Sequence, residues 1–546
     1  VGRTETINAK NFQRFHRTSG DGKPSWFIRA FEEIVAAERN ISILTGCDLV
    51  SASKTGATIN SITLARGDSQ MTITAGVFID ASYTGDLAAA SGCTVIIGRE
   101  ANATYGETLN GNKTPAAMTG TPSAYVTAGV PGSGLLPYVD GAAIPSAGTA
   151  SPYIMSFNYR LFVTTNAGDR VPFPAPDVLP VAGDQRFEIL ARQMQAAPTS
   201  FDTMAELFNV YSAGQAAGYF DLNSKAGISS NYPNYLETLE YITATPARRA
   251  EIRENAKQYL LSLLYWIRYS GDARIPAALV SEIATYGLCA SELQAYGGFS
   301  PEFYVREGRR IVGDFVMAEP AITFPNAIAD PVAYAYYDLD GHMVRLVNDA
   351  GTVKTEGTLL TPLTTSQLGA PIAYRVLLPK VAEVTNLLCP GCPSMSRVVL
   401  CTTRLEPVLM CLGQAAGIAA SLAIDGNTTV QAVPTARLLR IQDLTRVWDG
   451  IVVSTDGTYS EGTLSSTGTW TAPATTSRRF GYLGGSSLTN AGSGSGAATY
   501  KCAPFLQESG PYEIFVAYSP TAAADPVLRA TAVRYTISHA DGTSTR

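Results

Sequence analysis

Histidine is scarce in this chain: His16, His342 and His539 are the only three among 546 residues. So few imidazoles, with no Cys/His grouping at zinc spacing, argue against a metal centre. Charge is sparse too, at 16% Asp, Glu, Lys and Arg against 46% hydrophobic residues. The net charge of -6 comes without a basic block, which argues against nucleic acid as a partner. Long apolar runs are nearly absent. Residues 407–424 alone approach the length of a membrane span; Gln414 interrupts them, Arg404 and Glu406 abut them, and no second run exists, so no span is expected. Residues 1–25 hold neither a secretory leader nor a Gly-x-Gly-x-x-Gly turn. The chain opens on Val1 and is expected to be processed or to lack its beginning. Cysteine numbers only eight; Cys389-Pro390-Gly391-Cys392 has redox spacing but no thioredoxin-like context, and buried thiols or one disulfide account for it better than a catalytic dithiol.

What is present exceeds one hydrophobic core, and two or three domains are expected. Periodicity predicts a helix over 26–39 with Phe27, Phe31, Ile34 and Val35 on one face, a short strand at 41–44, and meander strands over 48–53, 59–64 and 71–79. The apolar strand Val77-Phe78-Ile79 runs into Asp80-Ala81-Ser82-Tyr83-Thr84-Gly85-Asp86 and a short Ala-rich helix. Small residues at such a junction let a phosphate or ribose approach the backbone, although many strand-to-helix junctions bind nothing. Residues 154–164 alternate as a strand and place Asn158 and Arg160 on one face. From 187 to 314 the pattern is mainly helical, with one long helix over 248–270. Another helix is predicted over 302–319, carrying Arg306, Glu307, Arg309 and Arg310, charges expected to pair within the molecule. Alternation returns over 334–347 around Asp340 and His342; a lone His is more often a structural hydrogen-bonder than a base.

The stretch entered through Arg404-Leu405-Glu406-Pro407 is Gly- and Ala-rich. Proline suits a first helical turn. Gly413, Gln414, Ala416 and Gly417 lie along a face with few side chains, and the helix N-terminus offers free N–H groups and partial positive charge. That suits a negatively charged cofactor edge; a core helix without a ligand is the plainer reading. After Trp448, Thr, Ser and Gly dominate, and short strands at 451–453, 469–470, 497–501, 512–518 and 533–538 have sandwich spacing. Gly492, Gly494 and Gly496 precede a strand and so fail as a dinucleotide loop. The chain end reads as a strand and turn with no returning strand.

Taken in order, Phe78 to Leu87, Gly98-Arg99-Glu100, Asn158-Tyr159-Arg160-Leu161, Tyr304-Val305-Arg306-Glu307-Gly308-Arg309-Arg310, Leu377-Leu378-Pro379-Lys380, Asn386-Leu387-Leu388 and Arg404 to Gly417 resemble the FAD-dependent oxidoreductases of the xanthan-lyase-associated type. The resemblance covers roughly residues 20–430. The tail, with Gly510-Pro511-Tyr512-Glu513-Ile514, is similar to a golvesin-type β-domain. It implies an α/β (α+β) two-domain flavoprotein fold of the glutathione-reductase-like FAD type with a helical insert, plus a C-terminal all-β sandwich. Residues 1–118 would be a partial FAD-binding domain, 119–375 the substrate region, 376–440 the rest of the FAD domain, and 449–546 the tail domain. FAD is the implied cofactor. Leu49 would lie near its adenine; Asp80, Ala81, Ser82, Thr84, Gly85 and Asp86 would line it; the helix at Arg404, Glu406, Pro407, Gly413, Gln414, Ala416 and Gly417 would face the flavin. Exported proteins carry such tails, so a secreted location is implied, with the tail on a polysaccharide or surface layer.

Three features depart from the family. The pyrophosphate cradle is missing, which implies a separate N-terminal segment or chain as partner. Ser394-Met395-Ser396-Arg397 stands where a Ser-x-Ser-His often occurs, and the tail stops early. The leading function is hydride transfer from a small-molecule or saccharide substrate to flavin, with His342 as base by elimination and its ordinary pKa, and Arg160, Arg397 or Arg404 holding an anion beside Asn158. A non-catalytic surface protein on a flavoprotein scaffold, or a polysaccharide lyase, are the alternatives.

Overall fold

A computed structural model describes residues 23–444, apart from 213–216, 226, 324–327, 336 and 364–368, and four short strands of the tail. Gly2–Gln442 form one compact unit and Asp443–Arg546 belong to the other. Helices and strands are mixed throughout the first, as the expected α/β fold requires.

The alternating segments form the antiparallel meander β1 (Asp48–Thr55), β2 (Thr58–Arg66) and β3 (Ser69–Thr74) in that order. The chain then breaks at Gly76 and enters β4 (Phe78–Ile79), which pairs in parallel with Leu387–Leu388. Asn386 joins the two structures. Its Oδ1 accepts from Ile59 N at 2.9 Å, and its Nδ2 donates to Ile59 O at 2.9 Å and Gly76 O at 3.2 Å. Phe78, Ile59, Ala88, Val384 and Leu387 bury a small core beneath this junction. Both strands therefore end at one place, and the loops after them meet there.

The helix Glu406–Asp425 carries Pro407 in its first turn, and Val408, Leu412, Ala415, Ala419 and Leu422 bury one side of it. They pack in a core with Val332 and Ala333 of the strand Pro331–Ala335 and with Ile372 and Ala373 of its partner Ala370–Ala373. It is long and apolar enough to cross a membrane by length and composition alone; its buried side accounts for that composition.

The insert is built on a five-stranded antiparallel sheet in the order Phe208–Ser212, Tyr219–Ser224, Leu161–Thr164, Gly287–Cys289, Arg170–Val171. The long helix Pro246–Tyr269 begins where Thr245 Oγ1 accepts from Arg248 N. It buries Leu260, Leu264, Trp266 and Ile267 against Phe157 and Phe187.

A buried ionic network ties these parts together. Arg99 meets Glu356 at 2.6 Å, and Arg345 reaches both Asp140 and Glu356. Arg310 meets Glu100 at 2.7 Å and Glu307 at 3.0 Å, and Arg397 Nε lies 4.0 Å from Glu307. Four cations thus stand with Asp140, Glu100, Glu307 and Glu356.

Several sequence expectations are corrected. The first helix is Pro24–Ala37, but Phe27 and Phe31 of its apolar stripe stay exposed and only Ala30 is buried. Helical spacing sets which residues share a face but not how far that face is covered. Residues 41–44 form no strand, because no strand among the described residues lies alongside to share a ladder. The strand expected over 154–164 is confined to Leu161–Thr164, Asn158 making isolated bridges to Asn231 and Tyr304. Residues 302–318 are not helical: the chain is largely extended, with Arg310–Ile311 pairing against Val95–Ile96, and Glu319 opens a separate short helix, Glu319–Thr323. Tertiary pairing of its charges overrides their helical spacing. The helical stretch after 187 also contains the unforeseen strands Phe208–Ser212 and Tyr219–Ser224. In the tail, Gly462–Thr467 pairs with Thr499–Pro504, and Thr536–His539 does have a returning strand, Gly542–Thr545. The strands expected at 451–453, 469–470 and 512–518 lie outside the described residues.

Candidate active site

The loops leaving β4 and Leu387–Leu388 are locked by close backbone approach. Asp80 is buried, and its Oδ1 accepts from Ser82 N at 3.0 Å and Ser82 Oγ at 2.6 Å. Its Oδ2 accepts from Ala88 N at 2.9 Å, so both oxygens shape the loop. Gly85 takes a φ of 64°, which favours glycine. A Cβ on Gly391 would stand 2.4 Å from Ser82 O, and one on Gly308 would stand 1.9 Å from Tyr83 O. Asp86 is clamped by Arg249 of the long helix, at 2.6 and 2.8 Å, and by Arg309 at 2.8 Å. Burial works to raise its pKa, but the hydrogen bonds from Arg249 and Thr84 and the two guanidinium charges hold it below the usual carboxylate value. Asp86 therefore joins the loop to the insert.

Above this loop lies a cleft of about 630 Å³, lined by Asp48, Ser82, Tyr83, Thr84, Arg160, Tyr241, Arg249, Arg253, Glu302, Phe303 and Tyr304, among others. Tyr83 also lines a narrow crevice with Arg306, Gly308, Arg404 and Leu409. Burial, then the nearby Glu406, pushes the Tyr83 phenol up to about 12. Three guanidinium groups surround Tyr304. Arg160 lies 5.6 Å and Arg306 5.3 Å from its ring centroid, and Arg404 Nη1 is 3.4 Å from its hydroxyl. Arg160 pairs with Asp221. Arg404 Nη2 donates to Asp340 Oδ2 at 3.0 Å, and Asp340 Oδ1 stands 3.4 Å from His342 Nε2.

His342 has a side chain only 18% exposed. Burial, followed by the charge of Arg306, lowers its pKa from 6.5 to about 4 against the hydrogen bond to Asp340. This corrects the expectation of an ordinary pKa: the imidazole is neutral at pH 7, with its proton assigned to Nε2 by the Asp340 contact and Nδ1 left as acceptor. Between pH 6.5 and 4 the unfolded chain binds a proton that the folded chain does not. Stability present above pH 6.5 is therefore lost as the pH falls toward 4, by up to ~3 kcal/mol. Urea unfolding across this range is expected to show that loss in the wild type and a smaller one in His342→Gln; equal slopes would refute it.

The other expected residues fall into two groups. Ser82, Thr84 and Arg160 line the cleft, and Ala81 is exposed beside it. Arg404, at the end of the helix Arg397–Thr403, lines the crevice, and Glu406 and Pro407 begin the next helix exposed. Away from the cleft, Asn158 is buried with its Nδ2 3.1 Å from Asn223 Oδ1, and Arg397 is buried in the ionic network. Ala416 packs in the core. Leu49 sits half-buried in β1 opposite Leu64. Cys389 and Cys392 are free, buried thiols, pushed up first by burial for Cys389, and despite its hydrogen bond to Cys389 for Cys392. Sequence reading missed Asp48, Tyr304, Arg306, Arg249 and Arg253. Gly308 and Gly313, inside a segment read as helix, were the available signal for the extended chain that carries Tyr304 and Arg306.

The surface beside the loop fits a flat aromatic cofactor. Ile79 and Tyr83 are 39% and 42% exposed at the end of the parallel pair. Leu409, Gly413 and Gly417 follow one another at four-residue steps on one helix face. A Cβ at Gly413 or Gly417 would meet nothing within 4 Å, and Gln414 lies half-buried between them. The helix N-terminus has no side-chain cap from Leu405; Pro407 has no N–H, and those of Val408 and Leu409 donate to Leu405 O, so what the end offers an anionic edge is the partial positive charge of the helix. Ala81, Ser82, Tyr83 and this helix would hold the cofactor. No curated protein and no solved structure matches the chain. The family model described as FAD dependent oxidoreductase matches residues 4–443, most of the chain and all the elements that build the cleft. The chain belongs to the FAD dependent oxidoreductase family, and it is an enzyme that uses FAD.

Proposed function

We propose that the cleft binds a hydroxylated, carbohydrate-related small molecule, which is oxidised by loss of a hydride from carbon and a proton from oxygen. FAD supplies the two-electron acceptor for such chemistry. The observation that carries this reading is the cleft lining. The rings of Tyr83, Tyr241, Phe303 and Tyr304 offer flat apolar faces, while Arg160, Arg249, Arg253, Asp48 and Glu302 offer hydrogen-bonding groups among them. A sugar has that same alternation of C–H faces and hydroxyl edges.

Arg160 is held by Asp221 and stands over Tyr304, so its remaining donors are pre-oriented for a substrate hydroxyl. His342 does not itself line the cleft; we assign the proton released from the reacting hydroxyl to its Nδ1 because contacts through Asp340 and Arg404 join it to the cleft wall. Asp340 holds the imidazole from the other side, and Arg404 links that pair to Tyr304 at the cleft wall.

The test is anaerobic mixing of the yellow protein with a panel of sugars and sugar derivatives, following loss of the visible flavin absorption. One of them is expected to bleach it, and His342→Gln is expected to slow bleaching by ~10²-fold or more. A colourless FAD-free protein, or bleaching by no member of the panel, would sink the reading. An unchanged rate in the variant would remove His342 as base.

A further inference from the structure

Six arginines are buried among the described residues: Arg99, Arg306, Arg310, Arg345, Arg397 and Arg404. Five of them have a carboxylate within 4.0 Å. Arg306 has none among the described residues. Its Nη1 donates to Ser156 O and, at 3.1 Å, to Asn231 Oδ1; its Nη2 donates to Ser224 Oγ at 3.0 Å. All three acceptors are neutral, and the buried Nε has no acceptor at all. A cation held away from water with no counter-charge and an idle donor is costly to keep. Neutral acceptors alone do not account for retaining it.

The position of this charge suggests what would match it. Arg306 lines the crevice that shares Tyr83 with the cleft, and it stands over Tyr304, which lines the cleft itself. Of the three guanidinium groups around Tyr304, Asp221 answers Arg160 and Asp340 answers Arg404. One positive charge is left over, and it is that of Arg306.

We propose that Arg306 receives a carboxylate of the substrate, so that the enzyme acts on a sugar acid or a related hydroxy acid rather than on a neutral sugar. This rests on the reading of the cleft as the substrate site. It also gives a use to the low proton affinity of His342. The groups facing that imidazole are Asp340, Arg306 and Arg404. Burial depresses the base first and the charge of Arg306 second; a carboxylate on Arg306 offsets the second of these, so part of the proton affinity returns when the correct substrate is bound.

Calorimetric titration of the FAD-loaded protein with D-glucuronate and with D-glucose compares ligands that differ by one carboxylate. D-glucuronate is expected to bind tighter by about tenfold or more, and Arg306→Gln is expected to abolish that preference. Equal binding of both sugars, binding of neither, or a preference unchanged in R306Q overturns the proposal. Arg306→Lys covers the case in which R306Q does not fold. It keeps the charge but loses the planar fork, so weaker D-glucuronate binding with the preference retained is expected, and an unchanged affinity overturns the proposal. The midpoint potential of the bound FAD, measured alongside, is expected to stay constant. A lower potential in the variant with D-glucuronate binding intact would assign the charge to the reduced cofactor and overturn the proposal. Carboxylate-selective binding without any flavin reduction would refute the oxidation reading while leaving Arg306 as the carboxylate receptor.

Discussion

Gly308→Ala is expected to yield a protein that loses its flavin and at least ~10²-fold of its activity, since ångström-scale misplacement of a site suffices for that. The added Cβ would stand 1.9 Å from the carbonyl oxygen of Tyr83 and 3.3 Å from the Cα of Thr84, which are backbone atoms of the cofactor loop. That loop has nowhere to go. Gly391 presses on its other contacts, with Ser82 O 2.4 Å from where a Cβ would be. Asp80 ties its start to Ala88 N, and Arg249 and Arg309 hold its end through Asp86. Overpacking a yielding core costs ~1–3 kcal/mol; here the clash is with fixed main chain at the site itself. The ratio of visible flavin absorbance to protein absorbance after purification reads the loss directly. A variant with wild-type flavin content and turnover would show that the loop is free to shift, contrary to this account.

Arg310→Met is expected to destabilise the fold by ~3–5 kcal/mol, the scale for removing one partner of a buried ion pair. Arg310 is fully buried and joins three segments, those of Gly98–Glu100, Glu307–Arg310 and Met395. Nη2 donates to Glu100 at 2.7 Å and to Gly98 O at 2.8 Å, Nη1 to Glu307 at 3.0 Å, and Nε to Met395 O at 2.9 Å. Methionine would leave the carboxylates of Glu100 and Glu307 buried without their closest cation. The expected readout is a lower urea midpoint with an unchanged slope. Adding Glu100→Gln removes one of the stranded charges and is expected to recover part of the loss, a coupling that a double-mutant cycle measures. Additive losses would show that the two side chains do not share one network.

The contrast between Arg310 and Arg306 shows what a motif leaves open. Both belong to Tyr304-Val305-Arg306-Glu307-Gly308-Arg309-Arg310, and helical spacing would have put their charges on neighbouring turns. The segment is instead extended between the loop after β4 and the insert. Arg310 thereby reaches Glu100, some two hundred residues earlier, while Arg306 is left among neutral acceptors. No local pattern encodes which arginine finds a carboxylate. The same holds for His342. Its type and scarcity marked it as a candidate, but its depressed pKa comes first from burial and then from the charges of Arg306 and Arg404, all set by other parts of the chain.

By itself the sequence determined the meander, the long helix Pro246–Tyr269, the Gly- and Ala-rich helix Glu406–Asp425 and the family they belong to. Those features follow from hydrophobic period, turn residues and a proline in the first turn, all of which act over a few residues. Only the tertiary structure decided that Asp80 shapes a loop and that Asp86 clamps it to the insert. It also placed Arg397 in a buried network and left Arg306 with a charge unanswered. Those outcomes depend on burial and on partners far along the chain, where desolvation makes the presence or absence of one carboxylate decisive.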